Sequence, residues 1–162
     1  MNAGVFSGDI REFLRLLFRH GVRYVLVGGE AVIYHGHARL TGDVDVFYDR
    51  SPENARRLFT ALDAFWSGVI PGIGSPEDLA APGAVIMFGR PPNRLDLVGA
   101  IDGVTFDEAW DSRVTTALSL PDEEVQVHYI GLDALLKNKR AAGRPKDLED
   151  LVYLEAAHAM SK

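Results

Sequence analysis

The sequence contains no cysteine, which excludes disulfide scaffolds, thiol nucleophiles and cysteine-ligated zinc together and suits the cytoplasm. It also lacks any apolar run near the roughly 20 residues needed to span a bilayer, and residues 1–9 lack the basic-then-apolar order of a signal peptide. A cytoplasmic protein without membrane attachment is expected. Positive charge is short as well. Seventeen Lys and Arg stand against 23 Asp and Glu, a formal charge of -6, so no global field draws the molecule to nucleic acid and any polyanion must be gripped locally. Internal repeats, low-complexity tracts and linkers are missing, as are a P-loop lysine motif and a spaced dinucleotide fingerprint.

What remains is an ordinary globular composition, 162 residues with 47% hydrophobic and 25% charged. It describes a single domain over residues 1–162 that can bury its own core. Asp9 and Glu12 offer a capping box for a helix whose apolar face is Ile10, Phe13, Leu14 and Leu17, ending at Gly21. Residues 24–27 read as a strand, Gly28-Gly29 as a break, and residues 30–35 as a helical turn. Ser51-Pro52 sets an N-cap and first-turn proline for a helix with Ala55, Leu58, Phe59 and Leu62 inside. Residues 68–82 are rich in glycine and proline and read as a loop with one short turn. Residues 84–88 and 94–98 flank Arg90-Pro91-Pro92-Asn93, and 114–120 and 125–130 flank Pro121 to Glu124, giving two antiparallel hairpins. Helices over about 132–142 and 145–160 close the chain, separated by Gly143. The expected fold is α/β, a mixed twisted sheet with helices packed on one face and an acidic cleft at its edge.

The acids carry the chemistry. In residues 43–48 acid and apolar side chains alternate, so Asp43 and Asp45 share one face while Val44 and Val46 anchor the other. Like charges so placed are unfavourable without a cation between them. Hard oxygen ligands on a rigid strand suit Mg2+, or Mn2+, which draws its remaining ligands from water and substrate phosphates. Arg94-Leu95-Asp96-Leu97-Val98 repeats the pattern and offers Asp96 as a third ligand, the number a two-metal site wants, and a candidate acceptor for a hydroxyl proton. An Asp-x-Asp pair by itself is also a common exposed strand feature.

The order Val27-Gly28-Gly29-Glu30-Ala31, His35-Gly36, then Arg39-Leu40-Thr41-Gly42-Asp43-Val44-Asp45-Val46 resembles the nucleotidyltransferase superfamily typified by DNA polymerase beta. The resemblance implies transfer of a nucleoside monophosphate from a nucleoside triphosphate (NTP) to a hydroxyl acceptor, with Asp43, Asp45 and Asp96 as catalytic metal ligands. It implies that Gly28 and Gly29 contact the β- and γ-phosphates, which suits side-chain-free backbone at a helix start; on their own they are an ordinary strand-to-helix turn. Arg39 either reaches a phosphate or is a surface charge, and Thr41 can bond the backbone to orient the acidic strand. His35 and His37 have no third soft ligand nearby and are read as structural.

Residues 132–140 and Arg144-Pro145-Lys146-Asp147 to Leu151 are similar to the closing motif of the abortive-infection toxin branch of that superfamily. The similarity implies that Lys137 meets the triphosphate and Asp147 orients it. The local alternative is a Lys137–Asp133 helix pair with Asp147 near a helix N-terminus. Toxins of that branch usually carry a further helical domain for which 162 residues leave no room, so toxin activity is not carried over with the motif, while RNA as the acceptor, an antitoxin as a partner and a toxin-antitoxin or phage-defence role stay open. A small-molecule acceptor, as in antibiotic-modifying relatives, and a non-catalytic nucleotide-binding module remain alternatives, and the basic segment from Lys137 to Lys146 suits either RNA or the triphosphate alone.

Overall fold

Ser7, not Asp9, starts the first helix: its Oγ accepts from the Ile10 N–H at 3.3 Å, and Asp9 instead lies in the first turn, where a negative charge suits the helix dipole. In the computed structural model, which describes residues 7–90 and 94–160, this helix is α1 (Gly8–Arg19). The tip of the first hairpin, residues 91–93, and residues 1–6 of the N-terminal stretch lie outside the described residues. The elements follow as β1 (Tyr24–Val27), α2 (Gly28–Tyr34), β2 (Asp43–Tyr48), α3 (Pro52–Phe65), α4 (Pro76–Ala80), β3 (Val85–Phe88), β4 (Arg94–Val98), α5 (Phe106–Asp111), β5 (Val114–Ser119), β6 (Glu124–Tyr129), α6 (Leu132–Ala142) and α7 (Pro145–Met160).

The strands form one mixed sheet in the order β3-β4-β2-β1-β6-β5. The two expected hairpins are its flanks. The centre was not readable from neighbouring residues: β2 pairs antiparallel with β1 and parallel with β4, and β1 pairs parallel with β6. The acidic strands β2 and β4 are therefore inner strands, so the cleft opens over the sheet rather than at its rim.

On the face reached by Val44, Val46 and Tyr48, the Tyr48 hydroxyl donates to the Leu79 carbonyl at 2.8 Å and pins α4, the one turn foreseen in the 68–82 loop. Helices α1 and α3 pack in the same layer, joined by Phe13 and Phe65 edge-on at 5.5 Å. Leu14, Leu17, Leu58 and Leu62 are fully buried there, each stabilising the fold by about 1.5–3 kcal/mol. Asn54, 2% exposed, accepts from the Arg23 N–H at 2.7 Å and donates to the Arg23 and Asp49 carbonyls, tying α3 to the ends of β1 and β2. The other face carries a partial second layer. Short α5, unforeseen in the sequence, starts on a Thr105–Glu108 capping box and sets Phe106 edge-on against Phe47, while α6 and α7 frame the cleft. Among the described residues no helix is long and apolar enough to cross a membrane.

His128 on β6 is held neutral. Burial, with help from Arg113, pushes its imidazole down to about 4, and its Nδ1 bonds Thr115 Oγ1 at 2.7 Å. An unfolded histidine titrates near 6.5, so the unfolded chain takes up this proton first. Stability from this residue is present above about pH 6.5 and lost as the pH falls toward 4. Thermal unfolding across that window should fall less steeply in His128→Asn than in wild type; identical slopes would contradict the assignment.

Candidate active site

The turn between β1 and α2 is shaped by what its glycines make room for. Gly28 has φ +62°, and a Cβ there would run into the Asp45 carboxylate, with Cγ at 2.9 Å. A Cβ on Gly29 would meet Thr41 Oγ1 at 2.5 Å. Both glycines line the cleft, but the space a side chain would fill is already taken by Asp45 and Thr41. Gly28→Ala should therefore combine left-handed backbone strain, about 1–2 kcal/mol, with displacement of an acid of the cluster. A drop of about 2–8 °C in the unfolding midpoint is expected; an unchanged midpoint would show that the turn has slack.

Parallel pairing of β2 with β4 places Asp45 directly beside Asp96 and Asp43 beside Arg94. Carboxylate oxygens of Asp43, Asp45 and Asp96 all lie within 4.8 Å of one another. Thr41 Oγ1 donates to the Asp43 carbonyl at 3.2 Å and to its Oδ1 at 3.3 Å, fixing the strand's first acid. Arg94 forks onto Asp96 at 2.9 and 3.2 Å. The crowding has an electrostatic signature: burial, then the neighbouring Asp43 and Asp96, push the Asp45 carboxyl up to about 7 against the pull of Arg94. Three oxygen-only ligands that cannot all ionise comfortably together fit a hard divalent cation.

A cleft of about 570 Å3 separates these acids from a basic wall. The wall is assembled by buried acids of α7. Asp147, 2% exposed, accepts from Lys139 Nζ at 3.0 Å and Arg144 Nε at 2.7 Å. Asp150, 1% exposed, accepts from Arg39 Nε at 3.0 Å and lies 3.1 Å from Lys139 Nζ. Burial alone would raise the Asp147 carboxyl, but the hydrogen bonds from Arg144 and Lys139 hold it below the usual carboxylate range. Arg144 remains largely exposed, and Lys146 lines the cleft with no ion pair among the described residues.

Residues 8–159 match the family described as "Nucleotidyltransferase of unknown function (DUF6036)". The chain belongs to this family. No curated protein matches it. The family supports the superfamily resemblance and a nucleotidyltransferase character; it does not carry the toxin branch.

In this nucleotidyltransferase domain, Asp43, Asp45, Asp96, Gly28, Gly29, Arg39, Thr41 and Asp147 all line one cleft. Lys137 does not. It projects from the exposed side of α6 and pairs with Glu108 of α5 at 2.7 Å, neither with a phosphate site nor with Asp133. The lysine that enters the wall is Lys139, two residues on and therefore about 200° around the helix. Its signal was present: Leu132, Leu135, Leu136 and Lys139 follow the spacing of one helix face, so Lys139 falls on the side that α6 turns inward. Arg144 and Lys146 belong to the basic segment already read as a grip for RNA or the triphosphate, and both line the cleft; Arg94 and Asp150 carry no such signal in the sequence. His35 bonds the Ile130 carbonyl at 2.7 Å and His37 stacks on Tyr153, in keeping with structural roles.

Proposed function

We propose that this protein moves a nucleoside monophosphate from an NTP to a hydroxyl acceptor in a metal-dependent reaction. The observation that carries the reading is the register of β2 and β4, which brings Asp43, Asp45 and Asp96 within ligand reach of one another across from a wall of cations. Mg2+ or Mn2+ held by these three carboxylates would neutralise charge on the α-phosphate and the leaving pyrophosphate and ease ionisation of the attacking hydroxyl.

The chain's own groups supply the rest. Arg144 and Lys146 offer exposed cationic ends to the β- and γ-phosphates, and the Gly28 and Gly29 backbone faces the same space. Asp147 and Asp150 orient Lys139, Arg144 and Arg39, so the phosphate-facing charges are held before substrate arrives and lose little freedom on binding. An acceptor oxygen forms its bond to the α-phosphorus as the bond to the bridging β-phosphate oxygen breaks. Pyrophosphate leaves, and the hydroxyl proton passes to a carboxylate of the cluster.

The test is release of pyrophosphate from each labelled NTP with Mg2+, offered either total RNA or a panel of small hydroxyl compounds as acceptor. Turnover in one arm that falls about 10²–10³-fold in Asp43→Ala is expected, the scale for losing one charge-stabilising group. Turnover indifferent to Asp43→Ala would place the chemistry elsewhere. A toxin or phage-defence role requires labelling in the RNA arm.

A further inference from the structure

The acidic face of β2 does not end at Asp45. Alternation puts Phe47 on the same side, one repeat of about 6.6–6.8 Å further along, and there a second groove of about 490 Å3 opens. Ala100 lines both spaces, so the groove adjoins the cleft. Phe47 and Phe106 meet edge-on at 5.3 Å within it, and Arg50 reaches in from the segment between β2 and α3.

Arg50 is placed with care and left unspent. A Cβ on Gly99 would come within 2.5 Å of Arg50 Cδ and 2.9 Å of its Cγ, so the missing side chain lets the arginine stem lie across the end of β4. The guanidinium donates to the Ala80 carbonyl at 3.3 Å and makes no ion pair among the described residues. Its neighbour Asp49 is occupied by Arg23 at 3.2 Å and by the Ser51 N–H and Oγ at 3.1 and 3.2 Å. A half-buried guanidinium has five N–H donors in a planar fork, the shape that recognises phosphate.

We propose that this groove seats the acceptor, and that the acceptor carries a phosphate close to its reacting hydroxyl, bound by Arg50. The inference rests on the nucleotidyl-transfer reading above. In that reaction the acceptor oxygen gains the nucleoside monophosphate, pyrophosphate departs, and the acceptor's own phosphate is untouched. Two sources present this chemistry on a single ribose with a 5′-phosphate and a 3′-hydroxyl: the terminal nucleotide of an RNA strand, and a free nucleoside 5′-monophosphate.

The experiment is fluorescence anisotropy of a labelled short single-stranded RNA with a free 3′-hydroxyl, titrated with wild type, Arg50→Met, Arg50→Lys and Asp107→Asn at several salt concentrations. Arg50→Met should weaken binding about tenfold and lower the slope of log affinity against log salt by about 0.7–1, the mark of one lost phosphate contact. Arg50→Lys should fall between the two, and Asp107→Asn, which removes a negative charge lining the groove, should not weaken binding. Displacement of the RNA by adenosine 5′-monophosphate at similar concentrations points to the free nucleotide as the source, and resistance to displacement points to the strand. Unchanged affinity and slope in Arg50→Met, or binding of neither the RNA nor labelled adenosine 5′-monophosphate by wild type at low salt, overturns the proposal. Weakening by Asp107→Asn alone also overturns it, in favour of a cationic acceptor. Mg2+-dependent thermal stabilisation by NTP, measured on the same Arg50→Met protein, shows that it folds and separates failure of the acceptor proposal from failure of the nucleotide reading.

Discussion

Asp45→Asn should make the metal-free protein more stable and the enzyme inactive. In the folded chain Asp45 is crowded by Asp43 and Asp96 and its carboxyl stands at about 7, whereas in the unfolded chain an aspartate titrates near 3.9. The folded state thus keeps the proton to higher pH. Stability from the protonated form is fully present below about pH 4 and lost as the pH rises through 7. The asparagine variant does not carry that loss, so in the presence of a chelator its advantage over wild type should grow from pH 5 to pH 8. Discounted for the part of the side chain that water reaches, the gain is on the order of 2 kcal/mol at the upper end. The same variant should lose Mg2+-dependent turnover by about 10²–10³-fold or more. A variant less stable than wild type in chelator at pH 8 would show that the acids are held by interactions other than mutual repulsion.

Lys139→Met should be the most damaging change in the basic wall. It leaves Asp147 and Asp150, both essentially buried, without the cation they share. Removing one partner of a buried ion pair costs about 3–5 kcal/mol. Because Arg144 still reaches Asp147 and Arg39 still reaches Asp150, the low end is expected, a fall of about 6–12 °C in the unfolding midpoint. Adding Asp150→Asn to Lys139→Met should recover part of that loss, and NTP binding should remain impaired because the wall is no longer fixed. Lys137→Met, which removes only an exposed pair with Glu108, should shift the midpoint by no more than a degree or two. Equal effects from the two lysines would contradict the division between wall and surface.

Local patterns accounted for what was legible beforehand. Period-two alternation gave the acidic strands, turn residues between apolar runs gave both hairpins, the Ser51-Pro52 cap and helical spacing gave the start of α3, and α6 and α7 fell on either side of Gly143. The first cap moved from Asp9 to Ser7 because a serine hydroxyl two residues upstream reached the Ile10 N–H. Helix α5 was missed because six residues carry too little periodicity to announce themselves. The parallel contact of β2 with β4 joins residues about fifty apart, and no local rule encodes it. The third acid was legible as a repeated motif; its placement directly beside Asp45 was not. The wall was half legible: Asp147 and Arg39 could be named, but which lysine faces inward depends on helix phase. Gly28 and Gly29 were read for phosphate access, while the packing shows an additional demand on them, clearance for Asp45 and Thr41.

Thermal unfolding of wild type and Asp43→Ala/Asp45→Ala with each NTP, with and without Mg2+, tests the central claim most directly. One NTP at about 100 times its dissociation constant should stabilise wild type by about 2.7 kcal/mol, only with Mg2+ present and not in the double variant. Stabilisation by no NTP, or by an NTP equally in both proteins and without Mg2+, would contradict a metal-dependent nucleotide site at Asp43, Asp45 and Asp96.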